Sequence, residues 1–130
     1  MKRLASLLLT AAVAALAAGC DSYQRTDVTA VVSSIQGTSF SSTDAVTPTS
    51  VRITEGNIVK AHVVIYDDDD EPMPLTMRST RPDIIEVAAV QSRDDYTFTG
   101  LQVGEATIEL ISDGDVVNVL NATVVAQPAP

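Results

Sequence analysis

The sequence predicts an all-β protein, a sandwich of about seven short antiparallel strands. Three observations predict it. Beyond residue 20 the apolar residues recur with a period of two. Turn residues interrupt these runs every ~8–12 positions. No stretch beyond residue 20 spaces its apolar side chains at helical intervals.

The elements follow in order. Val51 and Ile53 alternate with Arg52 and Thr54, and Glu55-Gly56-Asn57 reads as a turn. Val59, Ala61, Val63 and Ile65 alternate with Lys60, His62, Val64 and Tyr66, so the first set is expected to face a core. Asp67 to Glu71, with Pro72 and Pro74, ends that strand, and Leu75 and Met77 open the next. Pro82-Asp83 is a turn before a strand from Ile84 to Val87. Tyr96 to Leu101 is a further strand, closed by Gln102-Val103-Gly104. Ala106, Ile108 and Leu110 then alternate with Thr107, Glu109 and Ile111. Asp113-Gly114 between alternating runs is a two-residue hairpin signal, because the favoured turn needs positive φ at both central positions. Val116 to Val125 is the last strand; its pattern allows two registers one residue apart, of which the one placing Leu120, Ala122 and Val124 inward is favoured.

Ahead of this block the chain is polar. Asp21 to Thr29 reads as a tether, although 28–35 has strand composition and is a candidate first strand. Ser33 to Ser50 holds ten Ser/Thr in eighteen residues, with Gly37 and Pro48. Such a composition buries little and is expected to be a loop, with Phe40 suited to dock on the domain. Gln127 to Pro130 is expected to fray.

The N-terminus reads as an address. Lys2 and Arg3 precede an uncharged run from Leu4 to Gly19, the length of a signal-peptide apolar region and short of the ~20 residues that span a bilayer. Leu16-Ala17-Ala18-Gly19-Cys20 follows, and Cys20 is the only cysteine. This stretch resembles the bacterial lipoprotein box, which implies cleavage before Cys20 and a covalent lipid on its sulfur. Small residues suit a peptidase site, and a thiolate is the nucleophile that accepts a diacylglyceryl group. Two or three acyl chains hold a protein stably on a membrane, where one is marginal. Asp21 resembles the inner-membrane retention signal of enteric bacteria, a rule that differs between bacterial groups.

Charge and composition exclude several roles. The whole chain has 8 Lys+Arg against 17 Asp+Glu and a formal charge of −9. Removing 1–19 takes Lys2 and Arg3 with it, leaving six basic side chains against 17 acidic ones, a formal charge of −11. That opposes nucleic acid and anionic headgroups, so the membrane link is the lipid and no nucleic-acid partner is expected. One cysteine allows no disulfide framework and no thiolate zinc site.

Two segments together resemble the bacterial Ig-like domain, group 2, of the intimin/invasin type. One is Met77-Arg78-Ser79-Thr80-Arg81-Pro82-Asp83-Ile84-Ile85-Glu86-Val87, similar to the family's run of tryptophan, serines, Asn-Pro and paired aliphatics. The other is Phe98-Thr99-Gly100-Leu101-Gln102-Val103-Gly104-Glu105-Ala106-Thr107-Ile108, similar to its strand, glycine corner and "A-T-I" strand. Glu55 to Val63 resembles the family's preceding turn and strand. Met77 stands where the family has tryptophan, and Ala88 to Asp95 is a longer connection without the usual glycine. The resemblance implies an Ig-like β-sandwich over 48–126. The expected organisation is a signal peptide at 1–19, the lipidated Cys20 with tether and Ser/Thr-rich segment at 20–47, the Ig-like domain at 48–126 and a disordered tail at 127–130.

Candidate sites are few. Asp67, Asp68, Asp69, Asp70 and Glu71 supply the oxygens that Ca²⁺ takes, but without the alternating spacing of an EF-hand loop. A solvated acidic loop that keeps the sheet edge soluble is the plainer account. His62, the one imidazole, falls on an outward face with no nucleophile beside it in the sequence, so no catalytic residue is expected. Tyr23, Tyr66 and Tyr96 suit either stacking on a sugar or protein partner or packing within the sheets. The sequence therefore predicts a lipid-anchored, non-catalytic envelope module on the exported side, at the outer membrane or cell surface rather than the inner membrane. It would serve adhesion, protein or glycan binding, or scaffolding without a cofactor. A calcium-dependent module using 67–71 is the alternative.

Overall fold

The computed structural model describes residues 22–36, 44–90 and 94–127, and for residues 30–36 the backbone alone. The expected signal peptide at 1–19, Cys20, Phe40 and residues 128–130 lie outside the described residues.

Among the described residues all regular structure is strand. The strands are β1 (Tyr23–Gln36), β2 (Ala45–Val46), β3 (Ser50–Thr54), β4 (Ile58–Asp67), β5 (Thr76–Ser79), β6 (Ile85–Ala89), β7 (Asp95–Gly100), β8 (Gly104–Ser112) and β9 (Asp115–Val125). They form a four-stranded sheet ordered β1-β4-β7-β6 and a five-stranded sheet ordered β2-β3-β9-β8-β5. Every pairing is antiparallel except β3 with β9, which run parallel from Ser50↔Asn121 to Thr54↔Val125.

The two sheets share one core, built as the alternation dictates. Val59, Ala61, Val63 and Ile65 of β4 are buried, as are Val51 and Ile53 of β3, Ile108 and Leu110 of β8, and Leu120, Ala122 and Val124 of β9. Tyr96 and Phe98 of β7 and Ile85 of β6 complete the layer, with Phe98 the largest side chain wholly removed from water. Burial of each of the larger aliphatic side chains and of Phe98 stabilises by roughly 1.5–3 kcal/mol relative to exposure.

Two corners depend on backbone geometry. Asp113 (φ 50°) and Gly114 (φ 87°) make the tight β8–β9 connection with the paired positive φ of a primed turn. At Gly104 (φ 156°) a Cβ would lie 2.9 Å from Ile84 Cδ1, so a side chain at the β7–β8 corner would have to displace the end of the Ile84 side chain.

The N-terminal strand begins earlier than composition indicates. β1 starts at Tyr23, inside the stretch that reads as a tether, and pairs with β4 from Tyr23↔Asp67 onward. A register shift between Tyr23 and Arg25 inserts one residue. Tyr23, Thr26 and Val28 then turn toward the core while Arg25, Asp27 and Thr29 pair with the outward residues of β4. The bulge breaks the period of two, which hides the strand in the sequence.

The end of the Ser/Thr-rich segment is ordered as well. Val46 is buried and pairs with Val51, and Thr47 Oγ1 accepts the Ser50 amide at 3.0 Å to close the β2–β3 turn. Ala88 to Asp95, long by sequence, is partly strand: β6 runs to Ala89, and Val90 N–H donates to Asp95 O at 2.9 Å. Residues 91–93 lie outside the described residues.

Candidate functional site

The acidic run forms a folded turn. Asp67 is the last residue of β4 and only 6% exposed. Its Oδ1 accepts the backbone amides of Asp69 (2.9 Å) and Glu71 (3.0 Å), and its own amide donates to Glu71 O at 3.0 Å. This is the local side-chain-to-backbone bonding that makes Asp a turn former. Asp70 takes positive φ (60°) in the tip. Beyond it, Tyr66 bridges to Pro72, and Met73 N–H donates to Ile65 O at 2.8 Å, so the chain returns alongside β4.

The five acids therefore divide. Asp67, Asp68 and Asp69 each bring one carboxylate oxygen within 4.8 Å of the others. Asp70 is drawn away to the Arg25 guanidinium. Glu71 is exposed. Arg25 also reaches Asp27 at 3.4 Å and lies 4.2 Å over the Tyr66 ring. Its neighbouring carboxylates, Asp70 foremost, hold its pKa above the usual arginine value. Arg25 thus fastens the turn to β1 through a cation–π contact and two ion pairs. Asp94, Asp95, Asp113 and Asp115 join no carboxylate group of this kind among the described residues.

This turn occupies the same end of the sandwich as the start of the domain. Asp68 N–H donates to Ser22 O at 3.0 Å, immediately before β1. The β8–β9 hairpin, carrying Asp113 and Asp115, turns at this end too, and Asn118 of β9 donates to Thr26 Oγ1 of β1 at 3.0 Å. The opposite end holds the β3–β4, β5–β6 and β7–β8 corners. There Gly56 N–H donates to Gly100 O at 2.8 Å and Leu101 N–H to Ile84 O at 2.8 Å. Leu101 and Val103 stand 47% and 49% exposed at this far end, and Val103 N–H donates to Glu55 Oε2 at 3.3 Å.

A shallow groove of about 430 Å³ lies toward the far end of the five-stranded sheet. Thr80, Thr107, Asn121 and Thr123 line it with hydroxyl and amide groups, with the charged Arg81 and Glu105 and the small Ala106 and Ala122 beside them and no aromatic side chain. Arg81 is held by Asp83 at 3.0 Å, and that contact keeps the Asp83 carboxyl below its usual pKa.

His62 stands on the outer face of β4, as the alternation requires, with Nδ1 2.9 Å from Asp95 Oδ1. Lys60 Nζ lies 3.7 Å from the other oxygen of the same carboxylate. Lys60 and Asp95 thus make a surface ion pair across neighbouring strands, with the His62 ring nitrogen against the same carboxylate. Tyr96, a candidate stacking residue by sequence, is buried, and its hydroxyl donates to Leu75 O at 3.1 Å. Tyr23 is half-buried with its hydroxyl 2.7 Å from Thr26 Oγ1.

Sequence reasoning did not single out Asp44. Its Oδ1 accepts from Thr54 N–H (3.0 Å) and Thr54 Oγ1 (2.7 Å), and its Oδ2 accepts from Asn57 Nδ2 at 2.9 Å. Thr54 and Asn57 are buried, so this carboxylate latches the chain before β2 onto the β3–β4 corner. No family model and no curated protein matches the chain.

Proposed function

We propose that this chain is a lipid-anchored Ig-like module of a bacterial envelope that works by binding or scaffolding rather than catalysis. The observation that carries the reading is the strand order. Sheets ordered β1-β4-β7-β6 and β3-β9-β8-β5, with a short β2 at the edge, correspond to the ABED and CFG layers of the immunoglobulin layout. The first strand there splits between sheets, and its second part, β3, runs parallel to the last strand. The lipoprotein box at Leu16 to Cys20 supports the anchor.

The surface chemistry supports recognition. Lys60, Arg78 and Arg81 each contact a carboxylate, and His62 shares Asp95 with Lys60. What the far end offers is the exposed Leu101–Val103 loop and the hydroxyl-lined groove, features suited to a protein or glycan surface. Protease shaving of intact cells tests the display side of the reading. Loss of the protein with a periplasmic control intact supports surface adhesion or ligand binding. Protection until the envelope is opened supports a periplasmic scaffold.

A calcium-dependent module is the second reading, favoured by the carboxylate oxygens of Asp67, Asp68 and Asp69 within 4.8 Å of one another. Against it, Asp67 Oδ1 already closes the turn and Asp70 is paired. A ligand that binds only the folded state must raise the melting midpoint. The principal reading expects no change at millimolar Ca²⁺; a concentration-dependent rise would put the second in its place.

A further inference from the structure

We infer that the sandwich stands on the bilayer by its acidic end, with the Leu101–Val103 loop and the threonine-lined groove held at the far end. The inference rests on the proposed lipidation of Cys20. Its geometric premise is the place where the fold begins. β1 starts at Tyr23, and Ser22 O already accepts the Asp68 amide at 3.0 Å. Two peptide steps separate Cys20 from Ser22, and two residues reach no more than about 7 Å whatever their conformation. A lipid on Cys20 therefore holds the Asp67–Glu71 turn at the headgroups with almost no slack. β4 runs from that turn to the opposite corner over Ile58–Asp67, a span of about 30 Å at ~3.3 Å per residue.

Charge selects the upright pose over one lying on a face. A lying domain needs a basic patch against anionic headgroups, worth ~1 kcal/mol per cation. The chain following Cys20 has six basic side chains against 17 acidic ones. On the outer sheet faces Lys60 pairs with Asp95, Arg78 with Glu109 and Arg81 with Asp83, which leaves Arg52 of β3 as the one exposed cation without an ion pair among the described residues, too little for a basic patch. The near end repels as well, since Asp68, Asp69 and Glu71 are exposed at the same end of the sandwich as the Asp113–Asp115 hairpin. It stays at the membrane only because the lipid holds it there. The acidic turn then has a role that needs no metal: it gives the base of the sandwich no electrostatic hold on the headgroups beyond the lipid.

The test uses the full chain, expressed with its own leader and recovered with its lipid. A single fluorophore is placed through Asp69→Cys or Leu101→Cys, both exposed positions. Each protein is reconstituted into phosphatidylethanolamine–phosphatidylglycerol vesicles carrying a headgroup-attached energy acceptor. The expected result is co-flotation with the vesicles, and energy transfer several-fold greater from position 69 than from position 101. A 20-residue Gly/Ser insertion after Ser22 should bring the two positions together. Flotation with equal transfer at both positions in the uninserted chain would overturn the upright pose while leaving the anchor standing. A gradient that survives the insertion would overturn the short tether as its cause. Failure to float would overturn the anchor itself.

Discussion

Replacing Asp44 by Ala removes one acceptor from three donors at once. Thr54 N–H, Thr54 Oγ1–H and Asn57 Nδ2–H all end on its carboxylate, at 3.0, 2.7 and 2.9 Å. Thr54 and Asn57 are 1% and 0% exposed, so water cannot simply take the carboxylate's place. A hydrogen bond to a charged group contributes about 1.5–3 kcal/mol, and an orphaned buried donor costs about 1–3 kcal/mol. Because the three bonds share one half-buried carboxylate, their losses do not sum, and about 3 kcal/mol is expected for Asp44→Ala. With a urea m-value of about 1.5–2 kcal/mol/M, the unfolding midpoint should fall by about 1.5–2 M at unchanged slope. Asp44→Asn keeps an acceptor for Thr54 but sets its NH₂ against that of Asn57, and should lose about half as much. A midpoint shift below about 0.5 M for Asp44→Ala, or equal shifts for both variants, would refute the latch.

Three further outcomes follow from the core and its polar inclusions. Phe98→Ala empties the largest wholly buried site and should cost about 3–5 kcal/mol, read from the same denaturation curves. Ser112 Oγ is buried without a hydrogen-bond partner among the described residues, so Ser112→Ala should leave stability unchanged or raise it by up to about 1 kcal/mol; a clear loss would mean that the hydroxyl is satisfied. Burial first, and the nearby Asp94 charge second, raise the Tyr96 pKa above 10.0. The unfolded chain then releases this proton first, so the contribution is whole below the unfolded pKa and is lost as pH rises toward the folded one. Melts from pH 9 to 11.5 should fall more steeply for the parent than for Tyr96→Phe, which itself forfeits about 1 kcal/mol with the Leu75 carbonyl bond. Parallel alkaline curves would show that Tyr96 does not titrate differently in the two states.

Local chemistry made much of the sandwich legible. Val59 to Ile65 and Ile108 to Leu110 alternate because one face is buried, and the Asp113-Gly114 turn is dictated by its φ requirements. Other parts were illegible for physical reasons. The bulge after Tyr23 switches which residues face inward, so β1 loses its period just where it starts. β2 and Asp44 lie against a run of serines and threonines whose average polarity outweighs one buried valine and one carboxylate. The parallel β3–β9 pairing joins residues some seventy positions apart, and no local signal encodes it. At the acidic turn the residue types were visible but not their division of labour. That Asp67 bonds backbone amides while Asp70 meets Arg25 depends on β1 lying beside β4.

The central claim is that this sandwich is held at a membrane by a lipid on Cys20, and the mature N-terminus tests it most directly. The protein would be extracted from bacterial membranes and its N-terminal peptide weighed. The account predicts a chain beginning at Cys20, heavier than its sequence by a diacylglyceryl group and at most one further acyl chain, with Cys20→Ser abolishing both processing and the added mass. An unmodified Cys20, or cleavage at another residue, would contradict it.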